Sequence, residues 1–170
     1  RDSEAVGILK QVVEAPSFQN VVAQGAIAGL KEFQDNKEIA SLLVEKSRYG
    51  NHHRIREAAT FALGKFVDGN PSVFEHLRTL LGDKWFRVRI NACRAFADAE
   101  ASKAIADLTA VAEHDLDHRV RRIAEECINL IREASSKPKE ISQMKEEMDK
   151  IKSRNLEIMQ KMDRLERQLH

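Results

Sequence analysis

Apolar residues recur along this chain at spacings of three and four, the mark of helices with one buried face. The spacing predicts eight helices in four pairs. The first members lie at roughly 3–14, 37–47, 71–82 and 102–113, and the second at roughly 19–33, 53–67, 86–98 and 118–133. Each second helix repeats one order of β-branched, small and large residues: Val22, Ala26, Leu30; Ile55, Ala59, Leu63; Val88, Ala92, Phe96; Val120, Ala124, Ile128. The central alanines stand 33, 33 and 32 residues apart. A period of that length is the signature of two-helix units that each bury an apolar face on a neighbour. The expected fold class is all-α, with an α-solenoid of four helical hairpins over residues 1–134.

Turn chemistry supports the pairing. Pro16 lies in the first turn, Asn70 precedes Pro71 at the favoured first helical position, and Pro138 follows the last pair. Asp83 and Asp117 sit in the turns before the third and fourth second helices, where a carboxylate suits exposed amides. Small residues (Gly25, Ala26, Gly29; Ala58, Ala59, Ala62; Ala92, Ala95) mark where helices come close, and Gly29 and Gly64 suggest backbone approach or local tolerance. The first helix spreads Val6, Ile8, Leu9, Val12 and Val13 over a wide arc, although a terminal repeat needs a polar outer face. Further repeats or another domain are therefore expected before residue 1.

After a linker expected at 135–139, the period changes to seven. Ile141, Met148, Asn155, Met162 and Leu169 fall at position a, and Met144, Ile151, Ile158 and Leu165 at d. In a parallel two-stranded register Glu140 faces Lys145, Glu147 faces Lys152, and Lys161 faces Glu166, while Arg154 faces neutral Met159. A single Asn at a favours two parallel strands in register. Residues 140–170 are read as a coiled-coil helix that pairs two copies, with these nine a and d residues as the dimerisation seam. The alternative is an amphipathic helix folded back on its own solenoid, a packing the pliable methionines would tolerate.

Charge narrows the functional classes. Residues 1–139 hold 21 Lys and Arg against 20 Asp and Glu, and residues 140–170 hold seven of each. That balance lacks the positive excess of a nucleic-acid or membrane-surface binder. No apolar run approaches the roughly 18 residues that span a bilayer, and no signal segment opens the chain, so a cytoplasmic location is expected. Cys93 and Cys127 both fall inside helices, Cys127 aligned with Ala95 and Ala62, and are read as small core residues.

The Val-Arg-x-x-Ala signature of the later second helices, with Asp in the preceding turn, resembles HEAT-like repeats of the phycobilisome-lyase type over about residues 4–133. The stretches Ser47–Ala59 and Leu80–Arg89 are similar to the non-catalytic C-terminal HEAT-like region of prokaryotic aminopeptidase N-type (gluzincin) zinc metallopeptidases. That resemblance implies a catalytic domain upstream. The zinc motif of those enzymes, His-Glu-x-x-His, has no match here, so no catalytic, cofactor or metal residue transfers. HEAT-repeat hydroxylases use His-Glu dipeptides to hold iron, and this sequence has none.

Arg56, Arg89 and Arg121 follow the β-branched residue of each later repeat and are read as structural, bonding turn carboxylates such as Asp83 and Asp117 across layers. A binding ladder is the competing reading. His114 and His118 have the spacing of two zinc ligands on a helix, but a turn separates them and no third ligand is evident. His52-His53 is read as a polar turn. Trp85 is read as covering the edge of the preceding repeat; as a partner anchor it would join Arg87, Arg94, Arg119 and Arg122 in a possible partner surface.

No catalytic motif or cofactor site is evident. The expected function is a non-catalytic protein-interaction and assembly module, the C-terminal region of an aminopeptidase N-type enzyme, paired through its coil. Its expected partners are itself and another protein or the upstream catalytic domain, with no nucleic acid and no membrane. A free-standing adaptor scaffold and a nucleic-acid-binding HEAT protein are the alternatives.

Overall fold

The computed structural model describes residues 2–15, 20–34 and 36–168, with side chains described for 4–15, 20–34, 36–136, 148 and 150–155. Within these residues all regular structure is helical. The elements are α1 (Asp2–Glu14), α2 (Val21–Leu30), α3 (Lys37–Ser47), α4 (His53–Ala62), α5 (Pro71–Leu80), α6 (Phe86–Asp98), α7 (Ile105–His114) and α8 (His118–Gln168). Short 3₁₀ turns occupy Leu63–Phe66 and Ser102–Ala104. The contacts divide the chain into Arg1–Arg132 and Glu133–His170. No helix among the described residues is long and apolar enough to cross a membrane.

In the first unit α1 packs on α2, α3 on α4 and α5 on α6, while α2 lies against α4 and α4 against α6. Helices α2, α4 and α6 thus lie in one row, which is why the repeated alanines matter. Ala59, Ala92 and Ala124 are fully buried, and Leu30, Leu63, Phe96 and Ile128 fill the space around them. Side chains of this size buried together supply the main favourable term in folding. Val22 departs from the pattern and is exposed. Helix α2 begins at Val21, after Asn20 in a left-handed conformation, and its buried stripe is Ala23, Ala26, Ile27 and Leu30.

Helix α4 stops at Ala62 instead of running to 67, and the chain tightens into the 3₁₀ turn. A Cβ added at Gly64 would stand 2.7 Å from the Ala95 carbonyl oxygen and 3.0 Å from its Cα, so glycine here permits direct backbone contact with α6. At Gly29 the nearest atoms are only the pliable Leu9 methyls at 3.4 Å. Asn36 caps α3, accepting N–H bonds from Glu38 (3.0 Å) and Ile39 (3.4 Å). Asn70 does not cap with its side chain, which accepts the Ser72 hydroxyl instead.

Polar latches join successive first helices. Lys10 pairs with Glu38 at 2.7 Å, Lys46 with Glu14 at 2.5 Å and Arg78 with Asp107 at 2.9 Å. Ser47, wholly buried, donates to the Val44 carbonyl at 2.8 Å and contacts His76 Nε2 at 2.7 Å.

Residues 135–139, expected as a break, are helical. No glycine interrupts them, and Pro138 removes one N–H bond, to the carbonyl of residue 134, while its fixed φ remains compatible with a helix. Of the heptad residues, Met148, Ile151 and Asn155 are exposed. The side chains of Ile141, Met144, Ile158, Met162, Leu165 and Leu169 lie outside the described residues.

Candidate protein-interaction surface

The turns leading into α4, α6 and α8 are tied together by arginine. Arg56 is 4% exposed; its Nε donates to the Ser47 carbonyl at 3.0 Å, and its Nη2 pairs with Asp83 from the next turn. The Tyr49 ring covers that guanidinium at 4.1 Å. One repeat later, Arg89 grips Asp115 with two parallel bonds, Nε to Oδ2 at 2.7 Å and Nη2 to Oδ1 at 2.8 Å, and its Nη1 donates to the Asp83 carbonyl at 2.8 Å. Planar two-point pairing of this kind fixes geometry as well as charge. Each carboxylate also accepts the N–H two residues on, from Trp85 and from Asp117, both at 2.8 Å.

Asp115, and not the expected Asp117, is therefore the counterpart of Asp83. Both lie five residues before the valine of the next helix, Val88 or Val120. Burial raises the Asp115 pKa, but the Arg89 bond and the Asp117 N–H outweigh it, so the carboxyl sits below its ordinary value. The Arg89 pKa is raised, chiefly by its bond to Asp115. Asp117 is held below the carboxylate range by Arg119, whose Nη2 and Nε reach it at 2.7 and 3.0 Å.

Outside this frame lies a row of rings. Trp85, 40% exposed, donates its indole N–H to Glu57 Oε1 at 2.7 Å and stands 5.3 Å from the His53 ring, so it leans on the preceding repeat. Phe86 carries the Arg119 guanidinium at 4.0 Å and that of Arg87 at 5.7 Å. Trp85, Arg87 and Arg119 thus converge on Phe86. Arg94 is exposed two turns along α6 from Arg87, and Arg122 is tied to Glu126 at 2.7 Å. Sequence reasoning missed Tyr49, Glu57 and Phe86 as members of this surface. His53, Phe86 and His118 occupy one repeat position, 33 and 32 residues apart, and that offset is the signal that would have found the row.

His52, N-terminal to α4, accepts the Arg54 N–H on its ring at 3.3 Å. His114 ends α7 and His118 begins α8. Among the described residues no three His, Cys, Asp or Glu side chains gather around one metal position. Burial pushes the Cys93 thiol up to about 12 and Cys127 to about 11, which suppresses thiolate chemistry.

A search of curated proteins found no match. The family pattern for HEAT repeats matches residues 41–129, a span that opens in α3, ends in α8 and contains both Arg–Asp pairs. That span is more than half of the chain, which belongs to the HEAT-repeat family.

Proposed function

We propose that this chain is a non-catalytic protein-interaction and assembly module: a HEAT-like solenoid that presents the rim of rings and arginines, and a heptad helix over 140–170 that pairs two copies in parallel. HEAT repeats generally mediate protein–protein contact and are typically non-catalytic. The observation that carries the pairing is the exposure of Met148 and Ile151, 51% and 60%, beside exposed Asn155 on a helix whose apolar period is seven. Sedimentation equilibrium tests it. The intact chain at about tens of micromolar, a range where a modest coil associates, is expected as a dimer, and residues 1–139 as a monomer. An intact chain that stays monomeric contradicts the reading.

The fuller reading makes this module the C-terminal region of an aminopeptidase N-type zinc enzyme. Its support is the resemblance over residues 47–59 and 80–89. Part of that resemblance falls on groups that join the repeats here, Ser47, Arg56, Asp83, Val88 and Arg89. Tyr49 belongs to that frame too, covering Arg56 and accepting the Lys84 N–H at 3.0 Å; His53 and Trp85 stand outside the Arg–Asp pairs and are the more telling part. The natural open reading frame tests it: a His-Glu-x-x-His motif upstream supports the assignment, and an adaptor without one replaces it.

A further inference from the structure

Arg121 stands in the fourth hairpin where Arg56 and Arg89 stand in the second and third. Each follows the β-branched residue near the start of its helix, and each donates one N–H to a backbone carbonyl at the end of the preceding helix or in the turn after it. Those bonds are Arg56 to Ser47 at 3.0 Å, Arg89 to Asp83 at 2.8 Å and Arg121 to Asp115 at 2.7 Å. Arg56 and Arg89 aim their other N–H groups at the carboxylate of the following turn. Arg121 is half-buried and oriented by the same carbonyl bond, yet among the described residues no carboxylate pairs with it.

The acids nearest in sequence are engaged elsewhere or make no ion pair among the described residues. Asp115 holds Arg89, Asp117 holds Arg119, and Glu113 lies 3.7 Å from His114. Glu125, one turn on in α8, is exposed and makes no ion pair among the described residues. In the same turn Leu116 is an apolar side chain 99% exposed. Helix α8 runs on from His118 to Gln168.

We propose that the α7–α8 turn is a docking site for an acidic turn of a partner protein. Arg121 grips the partner's Asp or Glu as Arg89 grips Asp115, and an apolar partner residue covers Leu116. A guanidinium already held by one N–H loses little freedom on accepting a carboxylate, and the planar fork selects that group. A second copy stacked end to end is the wrong occupant. The segment before its α2, residues 15–20, reads Ala-Pro-Ser-Phe-Gln-Asn and offers no carboxylate. The proposal rests on the interaction-module reading and names the chemistry of the partner.

The probe is a cyclised peptide copying residues 80–88, whose Asp83 is the natural ligand of Arg56. It is titrated into the intact, isotope-labelled protein while the arginine Nε–H resonances are followed. The expected result is a saturable shift at Arg121. Binding should weaken by about tenfold or more when Asn replaces the peptide's Asp, and likewise in Arg121→Gln, because the charge-assisted pair is lost. Leu116→Asp, at a fully exposed position, should weaken it too and serves if Arg121→Gln fails to fold. Equal binding of the Asp and Asn peptides, a shift at Arg87 or Arg94 instead, or no shift at all overturns the proposal. Sedimentation of the unsubstituted chain separates the two readings: a dimer that gives no peptide-dependent shift at Arg121 defeats only this one.

Discussion

Helices α4 and α6 and the heptad stretch of α8 all carry apolar residues at helical spacing, but they bury them differently. Ala59, Ala92 and Phe96 are wholly covered, whereas Met148 and Ile151 are more than half exposed. In the first region the apolar period is nested in a 33-residue repeat, so the next repeat supplies the cover. The charges drawn under with it are matched, Arg56 by Asp83 and Arg89 by Asp115. In the second the period is seven with no longer repeat, and a strict seven-residue seam calls for a facing helix. The longer repeat specifies cover from within the chain; in the pairing proposed above, the bare heptad takes its cover from a second copy.

The comparison is broken most severely at the buried ion pair. Asp83→Ala leaves Arg56, 4% exposed, without its counter-charge and removes an acceptor from the Trp85 N–H. Loss of one partner of a buried pair costs about 3–5 kcal/mol. A urea unfolding curve of residues 1–139 should show that drop; a change within the scatter would mean the pair adds nothing to the stack. Gly64→Ala comes next. Its Cβ meets the α6 backbone, which cannot rotate aside, and overpacking of this kind costs about 1–3 kcal/mol. Gly25→Ala is the control: nothing lies within 4 Å of its Cβ, and alanine in a helix should stabilise by about 0.4–1 kcal/mol.

Substitution in the second region sharpens the contrast. Asn155→Ile should raise the melting temperature of the paired coil and admit other strand numbers, because an apolar a position no longer restricts the register. Light scattering with thermal unfolding checks both, and unchanged behaviour would remove Asn155 from a seam. The smallest effect concerns His76. Burial first, and Arg48 second, hold its pKa below the ordinary 6.5, so the unfolded chain takes the proton more readily than the fold does. The stability from neutral His76 is full above pH 6.5 and is lost as pH falls through the folded value. Stability measured against pH should slope downward below 6.5, and His76→Gln should flatten that slope.

Much of the stacked region was legible in the sequence, because the 33-residue offset places Ala59, Ala92 and Ala124 in one row and the arginines beside them. What escaped were features decided by three-dimensional fit. The offset from Asp83 to Val88 equals that from Asp115 to Val120, but Asp117 also sits before a helix and drew the assignment; a shared turn position did not say which carboxylate reaches across. The end of α4 at Ala62 depends on how closely α6 approaches Gly64, which helical periodicity does not encode. Pro138 reads as a stop by local rule, yet one missing N–H did not end α8. Phe86 was visible only as a neighbour of Trp85, although His53 and His118 share its repeat position.

The most direct test of the contrast is thermal unfolding of the intact chain at two concentrations about a hundredfold apart, since mass action raises the stability of an associated element and leaves a self-contained one unchanged. The account predicts two transitions: one fixed in temperature, belonging to residues 1–132, and one that moves upward with concentration and disappears when residues 140–170 are deleted. A single transition, or two that are both independent of concentration, would contradict it.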